Sequence, residues 1–373
     1  MQGLRQIVEA AGQHGPEAGP SVLATVVKVN GSAYRRPGAR MLFPPVGAPV
    51  GLVSGGCLEG DLAERADAVR RSGRSTTVVY DMRSPDDIVW GMGLGCNGEI
   101  RVLLEAFSCD AVPAYLSFLT ECREGRRAGL LATVFEAAAA AAAVGERLAM
   151  RADGSVAQSL ADDGLNEAVM ADALRGLERR RSSVREYRLA SGTVEVLLEF
   201  VSPRPRLLIF GSGLDVPPVV RQARQLDWRV EILDNRPAFA TAERFADADE
   251  VRVIDFDRLD TEALSIDAAT PVVLMTHHFL HDVTLLGRLL PSNAPYIGVL
   301  GPSKRTDNLL TQLELQADAD RSPRLFGPVG IDIGSETPEE IALSLVAEIC
   351  AVLSGSCGGF LRDREGPLHE WSP

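Results

Sequence analysis

The sequence lacks the features of a membrane-embedded, secreted or nucleic-acid-binding protein. No apolar run reaches the roughly 18 residues that a membrane-spanning helix needs. Positive charge is in short supply, with 38 lysines and arginines against 51 acidic residues and a net charge of −13. Because a nucleic acid backbone is bound by clustered positive charge, we expect neither nucleic acid nor a membrane among the partners. The first eleven residues have the apolar spacing of an amphipathic helix and not of a secretory signal.

Cysteine is also scarce. The six cysteines, at positions 57, 96, 109, 122, 350 and 357, form no C-x-x-C pair. They are too few for a disulfide framework, and disulfides are rare in reducing compartments. We therefore expect free thiols and a cytoplasmic location.

Two of these cysteines stand among glycines. Cys57 follows Ser54, Gly55 and Gly56, and Cys96 follows Gly95, 39 positions after Cys57. Glycine lets the main chain approach a ligand closely, so such thiols are placed to meet a ligand. The alternative is a buried cysteine that acts as a small apolar side chain. The glycines on both sides of both thiols favour a ligand site.

The residues after Cys57 predict a helix over 58–71, with acidic residues in its first turn. Cys57 would then lie at the start of that helix. Unpaired amides and the helix dipole favour an anion there and would lower the pKa of a thiol.

Segments of the first hundred residues recur in the same order about a hundred residues later, which indicates a degenerate duplication of an α+β unit. The matching pairs are Leu23–Val27 with Leu131–Phe135, Gly38–Leu42 with Gly145–Leu148, and Gly98–Glu105 with Gly192–Glu199. The second copy lacks both cysteine motifs and carries seven alanines at positions 137–143. The motifs would then serve function and not the fold.

The second half has the element order of a dinucleotide-binding fold. A short apolar strand over 206–210 precedes Gly211 and Gly213, a helix follows, and a second strand ends at Asp234. The third glycine of the usual G-x-G-x-x-G pattern is replaced by Val216. We expect a Rossmann-like doubly wound parallel sheet. Because the third glycine is missing, the pattern supports this fold more strongly than it supports a bound NAD(P) or other nucleotide.

The predicted fold class is therefore α/β, with an N-terminal α+β region that contains the repeat and a C-terminal Rossmann-like domain. The predicted domains are 1–106, 107–203 and 204–357, followed by a tail over 358–373.

Histidines follow a strand that the sequence predicts over 272–276, at the edge where open α/β sheets bind ligands. His277, His281 and Asp282 would allow a metal site. The pattern favours the other interpretation, a helix-capping segment with exposed histidines. Farther along, Ser303, Lys304 and Arg305 could hold an anion or form a solvated basic turn.

Taken together, these motifs resemble the XdhC/CoxI family of accessory proteins for molybdenum hydroxylases such as xanthine dehydrogenase. The resemblance covers most of the chain. It rests on the segments 31–39, 54–59, 93–98, 211–215, 234–236, 276–277, 298–301, 330–334 and 337–340.

The resemblance implies a chaperone more than a classical enzyme. Such a protein binds molybdenum cofactor, holds it while a cysteine desulfurase supplies its sulfido ligand, and delivers it to an apo-hydroxylase. Cys57 and Cys96 would face one site, since soft thiolates suit the metal or a transferred sulfur. Arg35 and Arg36 would pair with the phosphate of the cofactor.

In the second half, Gly211, Gly213, Asp234 and His277 are the candidate ligand-binding residues. A homodimer is a further expectation, because a site built of loops often needs a second surface to close it.

Three other functions stay open at this point. The first is an NAD(P)-dependent oxidoreductase that uses the second half, with His277 as the one evident general acid. The second is a thiol-based sulfur carrier without a pterin. The third is a scaffold between desulfurase and dehydrogenase that does not depend on the cysteines.

Overall fold

A computed structural model describes residues 3–13, 16–83, 98–108, 110–138, 142–315 and 322–363. The chain divides into two compact units, Met1–Pro203 and Arg204–Asp363. The finer division of the first unit at residue 106 and the separate tail stay predictions.

The first unit contains two five-stranded sheets. The strands of the first sheet are β1 Ser21–Gly31, β2 Arg40–Phe43, β3 Val50–Gly51, β4 Thr76–Asp81 and β5 Gly98–Phe107. The strands of the second sheet are β6 Gly129–Ala137, β7 Arg147–Arg151, β8 Val156–Gln158, β9 Ser183–Leu189 and β10 Gly192–Val201. The strand orders are β3-β2-β1-β5-β4 and β8-β7-β6-β10-β9.

The two sheets therefore have the same topology, with all neighbours antiparallel. Even their irregularities coincide. Val27 is the extra residue of a bulge between β1 and β5, and Phe135 is the extra residue between β6 and β10. Both side chains are fully buried and pack in one small cluster with Leu103 and Leu197. The predicted internal repeat is confirmed, and we call β1–β5 with their helix the first repeat and β6–β10 with theirs the second repeat.

In the described part of the first unit, the helices are α1 Leu4–Ala11, α2 Glu59–Ser72, α3 Ala114–Glu124 and α4 Asp163–Arg179. α2 covers the first sheet with Leu62, Ala66 and Val69, as its spacing predicts. It ends at Gly73, whose φ of 66° is a left-handed conformation that glycine adopts without strain. α4 covers the second sheet, and the side chain of Asp162 caps its first turn.

The second unit is a six-stranded parallel sheet with helices packed against it. Its strands are β11 Arg206–Phe210, β12 Arg229–Asp234, β13 Glu250–Val253, β14 Val272–Leu274, β15 Ile297–Val299 and β16 Leu325–Phe326. Its helices are α5 Val216–Gln225, α6 Phe279–Leu289, α7 Ser303–Gln312 and α8 Pro338–Ser354. Short 3₁₀ turns lie at Pro16–Ala18, Phe256–Arg258 and Leu361–Asp363.

The strand order β13-β12-β11-β14-β15-β16 is that of a Rossmann fold, so the predicted fold class is confirmed. Val216 is fully buried at the start of α5 and fills the space that a third glycine would leave. A capping box opens α8, since Thr337 and Glu340 each bind the backbone of the other.

Some element ends differ from the predicted ones. β14 ends at Leu274 and not at Thr276, because the hydroxyl of Thr276 accepts a bond from the amide of His278 and donates one to Asp282.

Among the residues described above, no helix is long and apolar enough to cross a membrane.

Candidate functional site

Ser54 organises the loop that carries Cys57. Its hydroxyl is buried and accepts hydrogen bonds from the amides of Gly56 and Leu58, both at 3.2 Å. It also accepts a hydrogen bond from the thiol of Cys57, with 3.5 Å between Sγ and Oγ. One hydroxyl therefore binds three of the four residues that follow it and fixes the place of the thiol.

Glu59 in turn holds Ser54. Its carboxylate accepts bonds from the hydroxyl of Ser54, from the amide of Ser54 at 2.9 Å and from the amide of Leu58 at 3.1 Å. Burial alone would raise the pKa of Glu59, but these hydrogen bonds outweigh it and the pKa is lowered. The carboxylate is the charged anchor of the loop.

The thiol of Cys57 is half-buried and free. Leu58 is the N-cap of α2 and makes no side-chain capping bond, so Cys57 lies directly before the helix, as predicted. Gly56 has a φ of 110° and nothing stands within 4 Å of the place where a side chain would begin. The loop is therefore open on the side of Gly56.

Cys96 and Gly95 lie outside the described residues, but the start of β5 does not. Gly98, two positions after Cys96, pairs with Gly31 at the end of β1. A side chain on Gly98 would begin 2.3 Å from the carbonyl oxygen of Ser32, so only glycine fits there. The chain thus emerges from the second cysteine motif beside the loop that contains Arg35 and Arg36.

Tyr34 links that arginine loop to the Cys57 loop. Its ring lies 3.8 Å from the place where a side chain on Gly55 would begin, and the tyrosine is 62% exposed. Arg35 and Arg36 line an open cavity of about 890 Å³ in the first unit, and Tyr34 lines it as well. Cys57 is not part of this lining. The arginines and the thiol therefore flank Tyr34 and do not share one cavity.

In the second unit, Gly211 directly follows β11 at the point where the strand order reverses. Its φ is 126°, and a side chain would begin 2.2 Å from the carbonyl oxygen of Met275. Open α/β sheets bind ligands in the crevice at such a point. The predicted glycine turn therefore has the expected place in the fold.

Asp234 has the position of the acid that binds a ribose in dinucleotide-binding folds, but its carboxylate is already fully engaged. Ser212 Oγ donates to it at 2.6 Å, and Arg236 donates to both carboxylate oxygens at 2.9 and 2.7 Å. The residue is 1% exposed. Burial alone would raise its pKa, but the bonds from Arg236 and Ser212 lower it. The carboxylate binds side chains of the protein itself, and neither of its oxygens is accessible to a ribose.

His277 pairs with Asp215 across the glycine turn. The distance from His277 Nε2 to Asp215 Oδ2 is 2.9 Å, and the histidine is partly exposed. Its φ of 57° is a strained conformation for a residue other than glycine. A side chain on Gly213 would begin 3.4 Å from the ring and 2.4 Å from Asp215 Oδ1. The pair therefore covers the glycine that a pyrophosphate would approach.

The three residues of the predicted metal site do not converge. Asp282 is buried and binds Thr276 and Arg305, the latter at 2.6 Å. The ring of His281 packs against that of His278, with 4.0 Å between centroids. In the part of the chain that the structure describes, no group of three ligating side chains could hold a metal.

The capping interpretation is correct instead, since the side chain of His278 accepts the amide of His281 at the start of α6. Arg305 of the predicted basic turn is bound to Asp282.

Sequence reasoning missed the roles of Glu59 and Tyr34. The signal for Glu59 was its place one residue inside a predicted helix, where a carboxylate can reach back to free amides. No local pattern indicates that Tyr34 meets Gly55, because that contact joins two loops 21 positions apart.

Two family models match the chain, the XdhC Rossmann domain over residues 207–349 and the XdhC and CoxI family over residues 17–81. A Bacillus subtilis protein, named as a probable component of xanthine dehydrogenase, is 34% identical over 88% of this chain and 92% of its own. The Escherichia coli molybdenum cofactor insertion chaperone PaoD is 27% identical over 89% of this chain and 83% of its own. A crystal structure described as a xanthine dehydrogenase from Bacillus halodurans superposes with a TM-score of 0.74, at 32% identity and 98% coverage of both chains.

Proposed function

Because this chain belongs to the XdhC and CoxI family, we propose that it is a maturation protein for a molybdenum hydroxylase. It binds molybdenum cofactor as cargo, supports the sulfuration of that cofactor and delivers it to the apo-enzyme. The observation that carries this proposal is the Cys57 loop, in which one buried hydroxyl and one carboxylate hold a half-buried thiol beside open space. The PaoD relative, a molybdenum cofactor insertion chaperone, supports the same role.

The residues of the first unit suit such a cargo. A thiolate is a soft ligand for molybdenum or for a sulfur in transfer, which is the role proposed for Cys57 and Cys96. Arg35 and Arg36 would donate to the phosphate, since guanidinium groups bind phosphate oxygens in pairs. The cargo supplies the redox chemistry, and the protein holds, orients and shields it.

The partners follow from the proposed role. One is a xanthine dehydrogenase-like apo-hydroxylase, since the Bacillus subtilis relative is named for xanthine dehydrogenase. A cysteine desulfurase would supply the sulfur, and a second copy of the chain would complete a dimer. Each can be tested by co-purification with the full-length protein.

The NAD(P)-dependent oxidoreductase fits the second unit less well. Val216 replaces the third glycine, Asp234 is bound by Ser212 and Arg236, and His277 covers Gly213. The engaged Asp234 and the covered Gly213 each remove one contact that a dinucleotide makes in this fold, and Val216 alters the close helix–strand packing that the third glycine allows. Titration with NADH and NADPH should therefore give no binding, and micromolar affinity for either would favour the enzyme.

Cofactor retention tests the proposal directly. The purified protein is mixed anaerobically with released molybdenum cofactor and gel-filtered, and the protein peak is assayed for pterin and molybdenum. Wild type is compared with Cys57→Ala, Cys96→Ala and the control Cys357→Ala, whose thiol is exposed. We expect retention in wild type and in the control, and loss in the other two.

The other outcomes contradict the proposal. A double Cys57→Ala, Cys96→Ala protein that retains the cofactor and activates its client would leave only the scaffold. Persulfide on Cys57 without any affinity for the cofactor would favour the sulfur carrier. No retention by wild type would also overturn the chaperone.

A further inference from the structure

The cavity beside Arg35 and Arg36 is built from both repeats. α1 contributes Gln6, and the loop before β2 contributes Tyr34 with the two arginines. Ser182 and Phe200 of the second repeat form the remaining wall. The repeat that lost its cysteine motifs therefore still shapes a cavity that the first repeat opens.

The cavity is positively charged although the protein is acidic. Three arginines and one glutamate line it, while the whole chain carries a net charge of −13. The glutamate is Glu199, and both of its oxygens accept bonds from Arg40. Arg40 and Glu199 therefore neutralise each other, and the remaining charges of the lining, on Arg35 and Arg36, are both positive.

The wall from the second repeat adds a hydroxyl. Ser182 Oγ accepts the amide of Phe200 at 2.9 Å, so its own proton is free to be donated into the cavity. The corresponding serine of the first repeat is Ser75, which precedes β4 as Ser182 precedes β9. Ser75 does not line this cavity.

The equivalent arginines of the two repeats also differ. Arg40 lines the cavity, whereas its counterpart Arg147 lies under the ring of Tyr115, 3.6 Å from the ring centroid. Both arginines are almost fully buried, but Arg40 borders this cavity and Arg147 does not. This asymmetry indicates a ligand site beside the arginine of the first repeat and not beside its counterpart in the second.

We propose that this cavity binds the phosphate monoester end of an organic ligand, with the second repeat as one wall. Tyr34 lines the cavity and also touches the Cys57 loop, so a ligand seated there passes the tyrosine ring on its way to the thiol. The part of the proposal that links the phosphate to the thiol rests on the proposed function. Phosphate recognition by the cavity does not.

The test uses the fluorescent oxidised pterin obtained from released molybdenum cofactor, with its phosphate and after phosphatase treatment, and AMP as a second phosphate monoester. Binding to the full-length wild type is measured by fluorescence and by competition. We expect the phosphorylated pterin to bind roughly tenfold or more tightly than the dephosphorylated one, because charge-assisted bonds to arginine are at stake.

Two pairs of variants locate the phosphate. Ser182→Asp keeps an acceptor for the amide of Phe200 but adds negative charge to the cavity, and Ser75→Asp is the same change at the matching position of the first repeat. Gln6→Glu and Gln13→Glu form a second pair at exposed positions, and only Gln6 lines the cavity. We expect Ser182→Asp and Gln6→Glu to lose the preference for phosphate, and the two controls to keep it.

Two results would overturn the proposal: equal binding of both pterins by wild type, or identical behaviour within each pair of variants. Competition by AMP would support it, because AMP is itself a phosphate monoester. If the cysteines are needed to retain the cofactor but no phosphate preference is found, only the proposed phosphate binding by the cavity is refuted. A phosphate preference together with cysteine-independent retention would refute the proposed role of the thiols and leave the cavity standing.

Discussion

Arg40 and Glu199 form a buried, bidentate ion pair between the two repeats, with donor–acceptor distances of 2.9 and 2.5 Å. Arg147 and Glu105 make the reciprocal contact from the second repeat to the first. Each arginine also donates to the carbonyl oxygen of the glycine two residues before it. The same three-part arrangement therefore occurs twice in the first unit.

Removing one member of this pair should be costly. Glu199→Ala leaves the guanidinium of Arg40 buried without its counter-ion, and we expect the free energy of unfolding to fall by about 3–5 kcal/mol. Denaturant unfolding of the full chain measures the change. The double variant Arg40→Met, Glu199→Leu should lose less than the single one, because no uncompensated charge remains.

An exposed pair provides the control. Arg5 and Glu9 lie one turn apart on α1 with most of their side chains in solvent. Glu9→Gln should change the free energy of unfolding by less than about 0.5 kcal/mol. Equal effects of Glu9→Gln and Glu199→Ala would contradict the account of the buried pair.

Ser54→Ala should loosen the Cys57 loop. The substitution removes the common partner of Gly56, Cys57 and Leu58, and we expect a loss of about 1–2 kcal/mol of stability. Cys57 should also react faster with an alkylating reagent, as mass spectrometry of the modified peptide would show. Ser32→Ala, at an exposed position of the neighbouring loop, should change neither quantity.

The stabilising effect of Glu59 should depend on pH. Its pKa is lower in the folded state than in the unfolded chain. Its contribution is therefore present above its ordinary pKa and is lost as the pH falls through the lowered value. The stability difference between wild type and Glu59→Gln should accordingly shrink in acid, and a difference that is constant from neutral to acidic pH would contradict this account.

Gly55 and Gly56 should respond differently to alanine. A side chain on Gly55 would make an ordinary contact with Tyr34 at 3.8 Å, so Gly55→Ala should be nearly neutral. Gly56 has ample space but a φ of 110°, so Gly56→Ala should cost roughly 1–3 kcal/mol of unfolding free energy. Equal costs at the two positions would show that the conformation of the loop differs from the one described.

The backbone strain at His277 can be measured separately from its side chain. His277→Gly and His277→Ala both remove the contact with Asp215, but only glycine relieves the φ of 57°. The glycine variant should be more stable by about 1 kcal/mol. At Leu343, an exposed position within α8, the order should reverse because glycine weakens a helix. If the stability difference between the glycine and alanine variants has the same sign at His277 and at Leu343, the backbone strain at His277 is refuted.

The fold could largely be predicted from local signals. Apolar strands, the Gly211 turn and the capping box at Thr337 act within a few residues, and the sequence shows them directly. Strand ends were less accurate, since β14 ends at Leu274 and the hydroxyl of Thr276 binds residues at the start of α6 instead. The internal repeat was visible because its strands kept their order.

The candidate site was harder to predict because its contacts join distant parts of the chain. The contribution of Ser182 to the arginine cavity depends on how the second repeat packs on the first, and no spacing rule encodes that. A signal for the ion pairs did exist. Arg40 and Arg147 match in the repeat, as do Glu105 and Glu199, and opposite charges kept in both copies indicate a reciprocal contact.

The reciprocal ion pairs have a consequence for the origin of this chain. An arginine of each half meets a glutamate of the other, which is the pattern of an isologous interface in a twofold homodimer. The first repeat carries both complementary residues, so a single repeat could associate with a copy of itself through this surface. Fusion of two such genes would keep the interface in one polypeptide. One half could then lose its cysteine motifs while the other retained them.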